Sequence, residues 1–145
     1  MDHLDFLKIA EKLKDSNEEA GRRSAVSRAY YAAFHHVRLY LMGERIHMPN
    51  DGTEHEKIPR YLRYSGLENA EYVGQRLSEL KNNRREADYK IDPKDLKDPT
   101  IFDLGKCGLL VLKASQVIED FNSCKGPELI RGIKKQVNVE KGLPS

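Results

Sequence analysis

The stretch RSAVSRAYYAAFHHVRLYL, residues 23–41, decides the fold of this chain. Its apolar side chains recur every three or four positions, which is the spacing of one face of an α-helix. That face comprises Val26, Ala29, Tyr30, Ala33, Phe34, Val37, Tyr40 and Leu41. No segment longer than a few residues alternates polar and apolar side chains as a β-strand does. The sequence therefore predicts an all-α protein in which residues 18–42 form one long amphipathic helix.

Apolar stripes of the same spacing predict further helices on both sides of the long one. They cover residues 2–15, 53–65, 67–87 and 98–124. The last of these helices is expected to begin with Asp98 as its cap and Pro99 at its first position. Its apolar stripe consists of Leu104, Cys107, Leu110, Val111, Ala114, Val117, Ile118 and Phe121. Together with short connections, these helices predict an antiparallel bundle of four to five helices.

Capping residues predict where two of the helices begin and where one ends. Ser16 with Glu19 forms a capping-box pattern before the long helix, and Thr53 with Glu56 forms another before the third helix. Gly43 is expected to end the long helix, because glycine readily adopts the backbone conformation that follows a helix.

Composition narrows the class of protein. The 145 residues are 39% hydrophobic and 33% charged, as expected for one soluble domain with a single core. A formal net charge of +2 favours neither a strongly basic nucleic-acid binder nor an acidic tail. No run approaches the roughly 20 apolar residues of a membrane span, and the acidic start does not resemble a signal peptide. We therefore expect a cytoplasmic protein, without a metal site or a cofactor.

The small basic excess is concentrated at the C-terminal end. From residue 125 onward there are five Lys or Arg against two Glu, whereas the first 124 residues hold 20 against 21. We therefore divide the chain into a helical bundle, residues 1–124, and a basic C-terminal extension, residues 125–145. The extension is expected to form a short helix over 127–137 and then a flexible end. Its charges indicate either contact with a partner or RNA, or a solvated surface.

The long helix also carries a polar face. Ser24, Arg28, Tyr31, His35 and Arg38 repeat the three-four spacing of a second stripe. Such a stripe either binds an anion or is the solvated side of an amphipathic helix, and its spacing fits both interpretations.

The fourth helix ends its apolar stripe in charged residues. The stripe runs from Ala70 to Leu80, and the same spacing then leads to Arg84 and Asp88. Because these two lie four residues apart, they can pair with each other. One interpretation is a half-buried ion pair that fixes the register of the helix. The other is a guanidinium held in a cleft where it meets a phosphate in bidentate fashion.

Three elements together carry a resemblance to a known family. They are SRAYYAAFHH at 27–36, His55 at the start of the third helix, and LKNNRREADY at 80–89. In this order they resemble the HEPN superfamily, the higher eukaryote and prokaryote nucleotide-binding domains. The RAYYA and ADY motifs are similar to those of a prokaryotic branch of small, single-domain HEPN proteins. The likeness spans about residues 2–121.

The HEPN resemblance implies a homodimeric helical bundle in which the motif ending the fourth helix faces a cleft shared between subunits. Many members are metal-independent endoribonucleases, often the toxin of a toxin–antitoxin pair whose partner is a small nucleotidyltransferase. Their signature Arg holds the phosphate, and a His about four to six residues later acts as general acid or base. After Arg84 this chain has no His within that reach, and Tyr89 stands in its place.

Three functions follow as hypotheses. The first is a HEPN binding or regulatory module that recognises nucleotide or RNA phosphate. Its ligand-binding residues would be Arg28, Tyr31, Arg84, Asp88 and Tyr89, with His35 on the same face. The second is a metal-independent endoribonuclease in which Arg84 stabilises phosphate charge and His35 or His55 supplies the acid or base. The third is an interaction scaffold without a ligand.

Overall fold

The computed structural model describes residues 1–144, and it is helical, without a β-strand over that range. The helices are α1 (Asp5–Leu13), α2 (Glu19–Gly43), α3 (Glu54–Arg63), α4 (Glu68–Tyr89), α5 (Cys107–Cys124) and α6 (Pro127–Glu140). They pack as a bundle, which confirms the predicted all-α fold class. Within the described residues, no helix has the length and apolar character needed to cross a membrane.

Helix α2 is the centre of the bundle and packs against α1, α3, α4 and α5. Its predicted apolar face is buried except for Tyr40, which is half-buried. Burial extends to other sides of α2, because neighbouring helices cover them as well. The additional buried residues are Arg22, Arg23, Ala25, Ser27 and Ala32. Alanines along α2 allow these neighbours to approach its backbone closely.

The two predicted capping boxes are wrong, although α2 ends at Gly43 as expected. Ser16 lies before the N-cap residue Glu18, and its hydroxyl accepts a hydrogen bond from the Glu18 N–H at 3.2 Å. Thr53 is the N-cap of α3, but its hydroxyl donates to the Asp51 carboxylate at 2.6 Å. In both places a local turn uses the hydroxyl that would otherwise cap the helix.

Helix α5 begins at Cys107, well after the predicted start at Asp98. The Asp98 carboxylate accepts from both the N–H and the hydroxyl of Thr100, which closes a local turn instead of a helix cap. The predicted stripe is correspondingly shorter at its start: Leu104 is 62% exposed and Leu110 is half-buried. The remaining predicted positions of the stripe are buried.

Helix α6 packs on the same core as the rest of the bundle. Its Leu129, Ile130 and Ile133 are buried in the main hydrophobic cluster. The helix extends to Glu140, beyond the predicted 127–137, and residue 145 at the expected flexible end lies outside the described residues. At Gly132 the backbone of α6 meets the turn between α3 and α4, where an added Cβ would overlap the Ser65 carbonyl oxygen.

Helices α3 and α4 also approach closely. A Cβ added at Gly74 of α4 would lie 2.8 Å from the Pro59 carbonyl oxygen of α3. Because no side chain separates the two backbones at this point, the first turn of α3 is held beside the later turns of α4. This packing places His55 near Arg84, as described next.

Candidate functional site

Four predicted site residues surround a fifth, Tyr31, whose ring is half-buried on α2. The guanidinium carbons of Arg28 and Arg84 lie 5.2 and 5.6 Å from the centroid of this ring. The ring centroids of His35 and His55 lie 6.0 and 6.2 Å from it. We call these five residues the Tyr31 cluster. The structure thus joins residues that the sequence places on three different helices.

Helix α1 partly covers the predicted polar face of α2. The Phe6 ring lies 6.2 Å from that of Tyr31 and 6.0 Å from that of His35, between centroids. The guanidinium carbon of Arg28 lies 5.3 Å from the centroid of the Phe6 ring. This face is therefore a packed, half-buried surface and not simply the solvated side of an amphipathic helix.

Arg84 is the most confined cation of the Tyr31 cluster. It is 9% exposed, and its guanidinium carbon lies 5.4 Å from the centroid of the Tyr30 ring. Its Nη1 is 3.9 Å from an Asp88 carboxylate oxygen, beyond hydrogen-bonding distance. Its Nε is buried and has no hydrogen-bond partner among residues 1–144. An unpartnered buried donor is costly, so an anion that reached it would recover free energy.

Asp88 and Tyr89 differ in their relation to this cluster. The Asp88 carboxylate accepts a hydrogen bond from the Ser27 hydroxyl at 3.1 Å, and this holds it at the edge of the cluster. Tyr89 is the last residue of α4 and is 74% exposed. The structure therefore does not bring Tyr89 into the Tyr31 cluster.

His55 is held by two aromatic residues of α2. Its Nδ1 lies 2.6 Å from the Tyr30 hydroxyl oxygen, and its ring stacks on that of Phe34 at 4.1 Å between centroids. Burial, and next the positive charge of Arg84, lower the pKa of His55 below its ordinary value. The ring is therefore neutral at pH 7. If Nδ1–H donates to the Tyr30 oxygen, Nε2 remains an unprotonated acceptor, as a general base requires.

The pKa of His35 is also lowered, by burial and then by the positive charge of Arg38. Its ring is close to parallel with those of Phe6 and Tyr31, and its centroid lies 6.0 Å from each of theirs. A second neutral imidazole therefore borders Tyr31.

Tyr30 is the main site residue that the sequence analysis did not identify. Its apolar spacing assigns it to the core, and it is indeed fully buried. Its hydroxyl nevertheless binds His55, and burial above all raises the pKa of this hydroxyl, so it stays protonated. The sequence did contain one indication of this role. A tyrosine at a core position, where phenylalanine would also fit, needs a hydrogen-bond partner for its buried hydroxyl.

A second missed network joins the segment before α1 to α2 and α5. His36 Nδ1 lies 2.9 Å from His3 Nε2, and His36 Nε2 lies 2.7 Å from the Asn122 side-chain oxygen. Burial above all lowers the pKa of His36, which favours a neutral ring that donates from Nε2 to Asn122 and accepts at Nδ1 from His3. The network fastens the N-terminal end of the chain to the bundle.

Two further buried arginines, both on α2, have backbone partners. Arg22 donates from Nε to the Phe102 carbonyl oxygen and from Nη1 to the Ser16 carbonyl oxygen, each at 2.8 Å. Arg23 donates from Nη1 to carbonyl oxygens at the C-terminal end of α4. These carbonyls belong to Glu86, Ala87 and Lys90. Both arginines therefore hold the ends of neighbouring segments.

Comparison with known proteins finds no match to the chain among family models, curated proteins or solved structures. Function is therefore inferred from the geometry of the Tyr31 cluster, and the HEPN resemblance stays a prediction.

Proposed function

We propose that this protein is a HEPN-like nucleotide- or RNA-binding module that holds a phosphate at the Tyr31 cluster. The observation that carries this proposal is the Arg84 guanidinium. It is 9% exposed, it lies over tyrosine rings, and its Nε has no partner within residues 1–144. A phosphate oxygen would supply the missing acceptor, and a guanidinium binds such oxygens in bidentate fashion.

The charges around Arg84 support an anion as the ligand. Arg28 contributes a second guanidinium over the same Tyr31 ring. Of the nearby carboxylates, Asp88 accepts from the Ser27 hydroxyl and Glu54 accepts from the Gly52 N–H at 2.9 Å. Neither carboxylate forms a short ion pair with Arg84, since the Asp88 contact is 3.9 Å long and Glu54 lies beyond ion-pair distance.

Binding is tested by titrating fluorescently labelled single-stranded RNA into the protein and into two variants. Arg84→Gln is expected to weaken binding by about tenfold or more, because a hydrogen bond to a charged group contributes roughly 1.5–3 kcal/mol. Arg85→Gln is the matched control, since Arg85 is the exposed neighbour on the same helix. Wild-type affinity should fall as salt is raised. Equal affinity of the two variants would contradict the proposal.

A metal-independent endoribonuclease is the second candidate, and the position of His55 favours it. His55 is neutral, bonded to Tyr30, and close enough to Arg84 for that charge to lower its pKa. In this mechanism Arg84 stabilises negative charge on the scissile phosphate. His55 takes the proton of the attacking hydroxyl at Nε2 in the tautomer whose Nδ1–H donates to Tyr30. This histidine would replace the one missing from the sequence motif after Arg84.

Catalysis is tested by incubating labelled single-stranded and structured RNAs with the protein in EDTA. Cleavage lost in Arg84→Gln and His55→Gln but kept in Arg85→Gln would establish the endoribonuclease. His35→Gln separates the two histidines, because only the catalytic one should be required. Binding without cleavage of any RNA would leave the binding module as the function.

The proposal extends to partners. A HEPN-like module is expected to form a homodimer in the cytoplasm and to pair with a small nucleotidyltransferase in a toxin–antitoxin system. Light scattering on the purified chain tests the first point, since a dimer has twice the mass of the chain. A monomer mass at all accessible concentrations would contradict it. The interaction-scaffold hypothesis instead predicts that no RNA or nucleotide binds and that Arg84→Gln only destabilises the fold.

A further inference from the structure

A separate groove lies between α3, α6 and the loop that joins α2 to α3. Its volume is about 350 Å³, and no residue of the Tyr31 cluster lines it. The cationic side chains lining it are Arg45, Lys57, Lys134 and Lys141. An adjoining hollow shares Lys57 and Lys141, so the same charges border a longer depression.

Among the described residues, no carboxylate lines this groove. Within residues 1–144, none of the four cations forms an ion pair. Arg60 in the adjoining hollow differs, because its Nε donates to the Glu140 carboxylate at 2.6 Å. The groove thus gathers four positive charges, although the whole chain has a formal net charge of only +2. A concave surface of one charge sign attracts ligands of the opposite sign.

The groove also has an apolar floor. Ile46 and Tyr61 line it and are both buried, and Val137 of α6 adds a half-buried aliphatic side chain. Pockets for small organic ligands have volumes of roughly 300–1,000 Å³ and combine apolar walls with a few polar anchors. Cations around an aromatic and aliphatic floor suit a ligand that has an anionic group and a flat apolar body.

Arg45 supplies a second, independent observation. Its backbone has a φ of 65°, in the left-handed region that favours glycine. Its N–H donates to the Met42 carbonyl oxygen, and the Ile46 N–H donates to that of Leu41, both at 3.0 Å. These bonds form a Schellman motif that closes α2, with arginine where glycine is usual. The backbone thus favours glycine at 45, while the groove uses the arginine side chain.

We propose that this groove is a second ligand site that binds a nucleotide-sized organic phosphate. Arg45, Lys57, Lys134 and Lys141 contact the phosphate, and the base packs against Tyr61. A free mononucleotide and the phosphorylated end of an RNA share this chemistry. The site is independent of the Tyr31 cluster, because the two have no residue in common.

The proposal is tested by titrating the full chain with AMP while recording backbone amide NMR spectra. We expect AMP to bind more tightly than inorganic phosphate or adenosine alone, and to shift amides in residues 45–49, 57–61 and 134–141, which line the groove or adjoin its lining residues. Lys134→Glu/Lys141→Glu should weaken AMP binding by about tenfold or more, since both charge and contact are lost. Arg131→Glu/Lys135→Glu changes the net charge equally at exposed positions of α6 outside the groove. This control should change binding by less than about threefold, the effect of screened charge alone.

Arg45→Gly separates binding from folding. This variant should weaken AMP binding without lowering the Tm, because glycine adopts the left-handed backbone conformation without strain. Arg84→Gln should leave the AMP-induced shifts of the groove amides unchanged, because Arg84 does not line the groove. If Arg84→Gln removes AMP binding and the two α6 double variants behave alike, the nucleotide binds at the Tyr31 cluster and the groove proposal is wrong.

A 5′-phosphorylated RNA hexamer distinguishes the two sources of the ligand. Tighter binding of the hexamer than of AMP, with the same groove amides shifted, identifies an RNA end as the ligand. Tighter binding of AMP identifies a free nucleotide. Absence of groove shifts with both probes overturns the proposal.

Discussion

Arg23 and Arg84 are buried to the same extent, each 9% exposed, but they are held in different ways. Arg23 Nη1 donates to three backbone carbonyl oxygens at the end of α4, and its Nε lies 3.1 Å from the Glu19 carboxylate. Arg84 lies over the rings of Tyr30 and Tyr31, and its nearest ion-pair contact is 3.9 Å long.

The difference separates a structural arginine from one that is available to a ligand. Carbonyl groups at the C-terminal end of a helix lack intrahelical partners and carry partial negative charge, so they satisfy a cation within the fold. Aromatic faces attract a cation but accept no strong hydrogen bond from it. Arg23 keeps one unpartnered atom, Nη2, but its other nitrogens are bonded, whereas the buried Nε of Arg84 has no partner in the described chain.

The largest effect on stability is expected for Arg23→Met. Removing the guanidinium leaves the Ala87 and Lys90 carbonyls without a donor and Glu19 without a partner, which should lower the free energy of unfolding by about 3 kcal/mol. Urea denaturation followed by circular dichroism at pH 7 measures this loss. The exposed Arg131→Met is the control, with an expected change within about 0.5 kcal/mol. An equal result for both variants would show that Arg23 is not structural.

A smaller loss of stability is expected for Tyr30→Phe, a change beside Arg84. The variant keeps the ring under Arg84 and removes only the hydroxyl that binds His55, so unfolding should become easier by about 1–1.5 kcal/mol. RNA affinity should be kept, because the aromatic ring remains. The same urea titration and RNA binding assay measure both quantities. If affinity falls with the hydroxyl, His55 rather than Arg84 controls binding.

The smallest change in stability is expected for Arg84→Met. Loss of the cation–π contacts, worth roughly 1 kcal/mol, is offset by removal of a buried, poorly partnered charge. The free energy of unfolding should therefore stay within about 1 kcal/mol of the wild type, while RNA affinity falls. A loss of stability as large as that of Arg23→Met would assign Arg84 to the fold and remove the contrast between the two residues.

The pH dependence of stability also distinguishes Arg84 from Arg23, because only Arg84 acts on the pKa of His55. Burial and the charge of Arg84 lower the pKa of His55, so the unfolded chain binds its proton more readily. The contribution of His55 to the free energy of unfolding is therefore largest well above the ordinary histidine pKa of about 6.5. It is lost as the pH falls from there toward the lower pKa of the folded state.

NMR titration of the His55 ring measures this coupling directly. Arg84→Met should raise the His55 pKa toward its ordinary value, because the second cause of the lowering is removed. Arg23→Met should leave it unchanged, since Arg23 is not among the groups that shift this pKa. Equal titration curves in both variants would mean that the charge of Arg84 does not contribute to the pKa of His55.

The sequence predicted local features well where one pattern dominated. The spacing along α2 located that helix closely and placed Arg28, Tyr31 and His35 on one face, because helical periodicity is a strong local signal. Continuation of the α4 stripe also predicted the inward position of Arg84. The predicted start of α5 at Asp98 was wrong, because an aspartate before a proline begins a turn as readily as a helix.

Features that depend on packing between helices could not be predicted in the same way. His55 meets Arg84 because α3 and α4 approach at Gly74, and no local pattern indicates which helix a glycine faces. Arg23 and Arg84 are the same residue type on predicted helices, and their different partners depend on where the end of α4 lies beside α2. Sequence spacing describes one helix at a time, whereas these contacts join several.

Gly132 offers a marker for recognising related chains. A larger residue there would push α6 away from Ser65. Lys134 in α6 and Lys141 directly after it form one wall of the groove, so this wall would move as well. The groove would then lose its shape although every charged residue remained. A related sequence with all four groove cations but a bulky side chain at this position should therefore lack the groove, whereas one that keeps the glycine can assemble it.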